Sequence, residues 1–560
     1  MTARPSSDPA PDRKGLFDAN RLFVAACVGI PALGLLLFFV QPVAIVFLRS
    51  ITEPDGSYGL GNYHRILDGA RFWRVTGQSL VMTLITTAIS VGAGFLIALA
   101  LYRGHFRGKW FVRGAILLPL LAPSLMQSLG LIFLLGRNGI VSRILGTEIE
   151  IYGLWGLVIA NTLYALPQAV MIIGAALVLL DARVYEAADV MGARPFRQFR
   201  DLTLPAAKYG ILSSIFVVFT ITITDFGNAA VIGGNYTVLA TEIYRQVVGR
   251  QNFNLGAVVG IMLLLPTVLA YFIERQASRK SRGQKAAGIL PYVPKYSALR
   301  DIPLAVFSFA VSGFVVLVMA VVVYASFVTL WPYDLSLSLK NYAIDIAGGY
   351  DSLWITIWIS LWAAAVGTVF VFALGVGLRH APAWIAQPLQ VLAAMPAAVP
   401  GLVLGLAYIM AFNSPSNPFN FLYGTATLII AVNFYHYHTQ AFLTLQTGFR
   451  QFPETLEEAG ASLGANLGRL SRDVVLPFMA PMLVSVLLFL FMRSMVTISA
   501  VVFLSTPSVS VASFQILRLE DSGRTSQAAA FSTALMGVVI LALILLTLLN
   551  RNIARRHRAR

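Results

Sequence analysis

Long stretches without charge dominate the pattern of this chain. No Asp, Glu, Lys or Arg falls within Leu22–Leu48, Val75–Tyr102, Gly114–Gly136, Ile151–Leu180, Gln251–Ile273, Ile302–Tyr333, Ser352–Leu378 or Thr525–Asn550. Each run exceeds the ~18 apolar residues that mark a transmembrane helix. A backbone in lipid must satisfy its own hydrogen bonds, which a helix does within one segment. The pattern therefore predicts an all-α membrane protein. Allotting ~20 residues to each crossing places twelve spans near 22–48, 77–101, 113–136, 152–180, 209–232, 252–273, 303–330, 352–378, 384–412, 422–447, 479–505 and 525–549. Two charges interrupt this scheme: Asp225 in the fifth span and Arg493 in the eleventh.

Composition agrees with the pattern. Of 560 residues, 57% are hydrophobic and only 12% charged, about half the charged share of a soluble protein. The net charge of +16 does not point to nucleic acid, because the basic residues sit in the connections. If both termini share one side, that side holds 29 Lys/Arg and the other 11. The excess marks the terminal side as cytoplasmic. The single cysteine, Cys27, excludes an intramolecular disulfide and a multi-thiolate metal site. The first apolar run is too long for a cleaved signal core, so it reads as a retained span.

The chain also repeats itself. EAADVMGARPFRQFRDLTLP at Glu186 and EAGASLGANLGRLSRDVVLP at Glu458 align at a constant offset of 272, which also relates Asn161 to Asn433 and Gln168 to Gln440. Pro119 and Pro123 find counterparts in Pro396 and Pro400, and Asn62-Tyr63 in Asn341-Tyr342. The organisation is an N-terminal segment 1–21, a first transmembrane domain 22–273, a basic linker 274–301, a second domain 302–550 and a basic tail 551–560. An even number of spans per half keeps both halves parallel. Each repeated loop reads as a small helix–turn–helix along the membrane face. Its helix formers lead to a glycine that can adopt positive φ, and in the first copy Pro195 can open the second helix. One copy could be a plain amphipathic connector; two with the same spacing argue for a docking element.

At these residues the chain resembles the membrane subunit of binding-protein-dependent ABC importers of type I. Their hallmark is EAA, a glycine four residues on, and a hydrophobic-x-Leu-Pro ending; the second copy departs mildly, with Gly460 in the motif. The resemblance implies two six-helix parallel repeats in the MetI-like type I importer fold. It also implies that Glu186, Ala187, Gly192, Glu458, Ala459 and Gly464 form docking surfaces for two copies of a cytoplasmic ABC ATPase. It further implies a place in the inner membrane of a bacterial cell, where a periplasmic solute-binding protein would deliver the cargo and contact loops 233–252 and 506–524. Because no G-x-x-x-x-G-K-[ST] phosphate loop occurs in the chain, ATP would be used by a separate subunit. The chain itself then has no cofactor and is not an enzyme.

The substrate rests on less. Thr224-Asp225-Phe226-Gly227 and the sequence up to Gly260 resemble permeases for 2-aminoethylphosphonate, whereas Arg493–Leu504 resembles ferric-iron permeases equally well. Intramembrane charge usually faces a wet cavity or a partner. Asp225 and Arg493 are thus candidates for a translocation path that suits a zwitterion, or else a structural ion pair. Both readings stay open here, as do an ion-coupled secondary transporter and a membrane scaffold as rival classes. His436 and His438 diverge by roughly 200° around a helix, so they cannot chelate one metal ion and are expected to hydrogen-bond between helices. Gly401 and Gly405 suit close helix packing, and Trp331, Tyr333, Trp354 and Trp358 suit the membrane interface.

Overall fold

The computed structural model describes residues 13–282, 290, 292, 295–344 and 348–558. The first twelve residues, the centre of the expected linker and the final two residues lie outside that set. In the first half, helix α1 (Ala19–Ser50) is followed by α2 (Ala70–Arg103), α3 (Lys109–Leu117), α4 (Ser124–Leu135) and α5 (Leu154–Val178). The short α6 (Ala182–Val190) then leads to α7 (Leu204–Ile223), α8 (Gly227–Ile232) and α9 (Phe253–Arg282). The second half holds α10 (Ala298–Phe327), α11 (Asp351–His380), α12 (Ala383–Ala394), α13 (Gly401–Phe412), α14 (Ala426–Gln451), the short α15 (Glu454–Ser462), α16 (Leu476–Val496), α17 (Ala512–Asp521) and α18 (Thr525–Arg558). A small antiparallel hairpin, β1 (Val328–Leu330) with β2 (Asp334–Leu337), follows α10 and is the one sheet among the described residues.

Not every expected span forms one long apolar helix. Among the described residues ten helices are long and apolar enough to cross a membrane, or eleven if one bent pair counts as a single span. The bent pair is α12 and α13, which meet at 105° across Pro396–Pro400. Its counterpart breaks between α3 and α4 at a 3₁₀ turn, Leu118–Leu121, with Pro119 inside it. Proline lacks the N–H that a continuous helix needs, so both third spans bend where the sequence repeats its prolines. The expected span 422–447 exists as α14 but is not among the helices apolar enough to pass. It carries Asn433, His436, His438 and Gln440, and neighbouring helices shield most of it from lipid.

The fifth spans are also shorter than expected. Helix α7 stops at Ile223, short of 232, because the Asp225 carboxylate accepts the Asn228 backbone N–H at 2.9 Å and so starts α8. Likewise α16 stops at Val496, short of 505, and the chain turns through Ile498–Leu504. That turn presses on α13: a Cβ on Gly405 would lie 2.5 Å from the Ala500 carbonyl oxygen. The small-residue spacing therefore serves close packing. Of the four candidate interface aromatics, Trp331 packs its ring 5.2 Å from Phe133 of the other half, while Tyr333, Trp354 and Trp358 are exposed.

Within each half the second span lies against the fourth and fifth: α2 with α5 and α7, and α11 with α14 and α16. The first spans reach across: α1 packs on α11 and α13 as well as on α9 of its own half, and α10 packs on α2, α3 and α4 as well as on α18. On the side opposite the repeated loops, α17 carries Glu520, whose carboxyl is pushed up to about 7 by burial and then by neighbouring Asp521. Since the folded chain holds this proton more tightly than an unfolded carboxyl near 4.5 does, its contribution to stability is full below pH ~4.5 and fades as pH rises to ~7. Glu520→Gln should flatten the fall in melting temperature between pH 5 and 8. A variant with the wild-type pH slope would remove Glu520 as its source.

Candidate functional site: a central cavity and two repeated loops

A cavity of about 140 Å³ lies where the two halves meet. Its wall contains Ser124, Tyr164, Ile221, Thr224, Asp225 and Phe226 from the first half, and Gly401, His436, Arg493, Val496, Thr497 and Ile498 from the second. The repeat offset of 272 maps Tyr164 onto His436, Ile221 onto Arg493, Thr224 onto Val496, Asp225 onto Thr497 and Phe226 onto Ile498. The wall is thus one set of positions used twice, which places the cavity on the pseudo-twofold axis. The charges break that symmetry, since each faces a neutral counterpart in the other half.

The two candidate charges share this cavity, and their surroundings differ. Arg493 lays its guanidinium over the Tyr437 ring at 4.9 Å and hydrogen-bonds the Tyr164 hydroxyl. No ion pair joins Arg493 to Asp225 among the described residues, so the structural-pair reading is not what the fold adopts. Asp225, on the same wall, belongs to a hydrogen-bond network within its own half. It caps α8 through the Asn228 N–H at 2.9 Å and accepts from Ser124. The Asn228 side chain donates to Asn161 Oδ1 at 3.0 Å and accepts from the Ser128 hydroxyl at 2.7 Å. On α14 the equivalent Asn433 donates to Ser494 at 2.8 Å. Asp225 is therefore mostly satisfied by its own half, while Arg493 offers a cation to the cavity.

The two histidines do diverge. His436 lines the cavity, whereas His438 packs among Phe370, Phe434 and Phe442. The expected interhelical hydrogen bonds are not made by His438, because neither ring nitrogen has a partner. Among the described residues no group of three His, Cys, Asp or Glu side chains could hold a metal ion.

Each repeated loop is a helix closed by a glycine in the left-handed region. Gly192 has φ 72° and Gly464 φ 73°. The Ala193 N–H reaches the Ala188 carbonyl at 2.9 Å, and the Ala465 N–H reaches the Gly460 carbonyl at 3.0 Å. A residue with a Cβ would be strained at either glycine. Glu186, Ala187, Glu458 and Ala459 are exposed, as are the apolar tips Met191 (83%) and Leu463 (88%), which are themselves 272 residues apart. Sequence reading passed over these tips, although the offset was the signal that pairs them.

A third pair of equivalents escaped notice. Arg103 ends α2, donates to the Leu177 carbonyl at 2.8 Å and lies 5.3 Å from the Tyr185 ring on α6. Arg379, near the end of α11, donates to the Phe449 carbonyl at 2.8 Å and to Glu457 on α15 at 2.7 Å. Phe449 and Glu457 are the counterparts of Leu177 and Tyr185 at the same offset. One arginine per half therefore ties the loop helix to the second span, by cation–π contact in one case and an ion pair in the other. Arg379→Glu should lower the melting temperature by a few degrees, and adding Glu457→Arg should recover most of the loss. Additive losses in the double variant would mean the pair contributes nothing.

A family described as "Binding-protein-dependent transport system inner membrane component" matches residues 90–283 and 370–559, together more than half of the chain. The ferric transport system permease protein FbpB of Actinobacillus pleuropneumoniae is 27% identical over 95% of this chain and 78% of its own length. The Fe(3+)-transport system permease protein FbpB 2 of Haemophilus influenzae is 24% identical over 90% of this chain and 95% of its own. The spermidine/putrescine transport system permease protein PotC of Escherichia coli is 27% identical over 40% of this chain and 80% of its own, as a relative of one half would be. With both matched segments carrying the repeated loop and its two fifth-span walls, the chain belongs to the family of binding-protein-dependent transport system inner membrane components.

Proposed function

We propose that this chain, an ABC importer permease, passes a small anionic solute along the axis between its halves, with 2-aminoethylphosphonate as the best candidate. The observation that carries the substrate class is Arg493: a cation at a cavity wall where the repeat would place Ile221. A guanidinium in a low-dielectric cavity binds phosphonate oxygens strongly and in a defined geometry. The Asp225 side of the same wall suits the ammonium of a zwitterion. In this reading the repeated loops face the cytoplasm, in keeping with the 29 basic residues on their side. They receive two copies of an ATPase through Glu186, Ala187, Gly192, Glu458, Ala459 and Gly464. A periplasmic binding protein docks on the opposite face, where an open hollow of about 560 Å³ is lined by Arg137, Glu150, Tyr152 and Tyr236.

The relatives named for ferric transport favour a second reading, in which the cargo is iron. Arg493 repels a bare ferric ion, so iron would have to pass as an anionic complex. A deletion strain separates the two. Loss of growth on 2-aminoethylphosphonate as sole phosphorus source, with normal growth under iron starvation, supports the phosphonate reading. The reverse pattern replaces it with iron.

A further inference from the structure

We propose that each repeated loop is braced in trans, by the segment that leads into the first span of the opposite half. The first spans that reach across bring these segments to the opposite half. Because α10 packs on α2–α4 and α1 packs on α11, the chain just ahead of each span emerges beneath the other half's loop.

At the first loop, the Tyr292 ring stacks on the Tyr185 ring with centroids 3.9 Å apart and planes at 9°. The Leu290 carbonyl accepts the Ala182 N–H at 2.8 Å, the first amide of α6. Arg103 closes the assembly. It lies 5.2 Å from the Tyr292 ring and donates to the Tyr292 carbonyl at 2.5 Å. At the second loop, the Asn20 side-chain oxygen accepts the Leu467 N–H at 2.7 Å, and the Phe23 ring lies beside Gly468. The residues differ completely between the two sites, an aromatic stack in one and a carboxamide cap in the other. Yet both use the segment before a first span, both cross between halves, and both satisfy a backbone N–H at a helix start, where donors otherwise lack partners.

The linker is then a positioning element as well as a tether: Tyr292 holds the first loop to the second half, and Asn20 holds the second loop to the first half. A displacement of either loop is felt by both halves. This rests on the reading of the loops as docking elements, and its test needs neither ATPase nor solute.

The test is amide hydrogen exchange on the full chain in lipid nanodiscs. Tyr292→Ala is expected to speed exchange across 182–190 at least fivefold while leaving 454–470 unchanged. Asn20→Ala is expected to speed exchange across 466–470 while leaving 182–190 unchanged. Tyr292→Phe keeps the stack and should match wild type, which separates loss of the brace from general misfolding. Unchanged exchange at 182–190 in Tyr292→Ala, or an equal rise in both loops, overturns the brace. Failure of the wild-type chain to retain any ATPase would overturn the docking reading and leave the exchange pattern intact.

Discussion

Arg493→Ala should reduce solute uptake at least ~100-fold while leaving the melting temperature of the purified chain unchanged or slightly raised. Removing a charge-assisted contact to an anion costs about 3 kcal/mol, and each 1.4 kcal/mol is a factor of ten. A structural role would give the opposite signature. The arginine contacts an aromatic face and one hydroxyl, so its removal breaks no ion pair and relieves the cost of holding a cation inside the bundle. Arg493→Lys keeps the charge but loses the planar fork and the stack on Tyr437, and should retain roughly a tenth of uptake. Uptake at the wild-type level in Arg493→Ala would make the residue a packing group. Asp225→Asn should behave differently. Its carboxylate caps α8 at the Asn228 N–H, so the variant should lose stability along with transport.

Glu186→Lys combined with Glu458→Lys should cut the ATPase retained on purification by at least tenfold, with insertion and yield unaffected. Both side chains are exposed, and the glycine turns that shape the loops do not depend on them. Reversing a charge at a docking surface acts on association and leaves folding alone. Each single variant should lose part of the effect, since the two loops offer separate contacts. Undiminished retention in the double variant would remove both glutamates from the docking surface.

Much of the architecture is legible in the residues. Charge-free runs mark most spans because lipid forbids unsatisfied backbone, and the offset of 272 reveals the two halves and their loops. The same offset could have located the cavity wall, since Tyr164, Ile221, Asp225 and their counterparts are repeat mates. What stayed hidden depends on packing. The bend at Pro396–Pro400 is 105°, and the repeated prolines announce a break without its angle. Helix α14 is legible as the expected span 422–447; what its sequence does not show is that neighbouring helices enclose Asn433 and His438. The ends of α7 and α16 are set by a side-chain cap at Asp225 and by contact beneath Gly405, neither of which leaves a periodic trace. Arg103 and Arg379 look like ordinary interfacial charges until Leu177 and Phe449 are seen to accept from them. Tyr292 and Asn20 act across halves, and no local pattern links them to the loops they touch.

The most direct measurement is the sidedness and occupancy of the loop tips. Met191→Cys and Leu463→Cys, each in a Cys27→Ser background, can be probed with a membrane-impermeant thiol reagent. Inverted vesicles should label at both positions, right-side-out vesicles at neither, and co-expressed ATPase should protect both sites. Labelling confined to right-side-out vesicles, or full labelling in the presence of the ATPase, would contradict two cytoplasmic docking loops serving one central cavity.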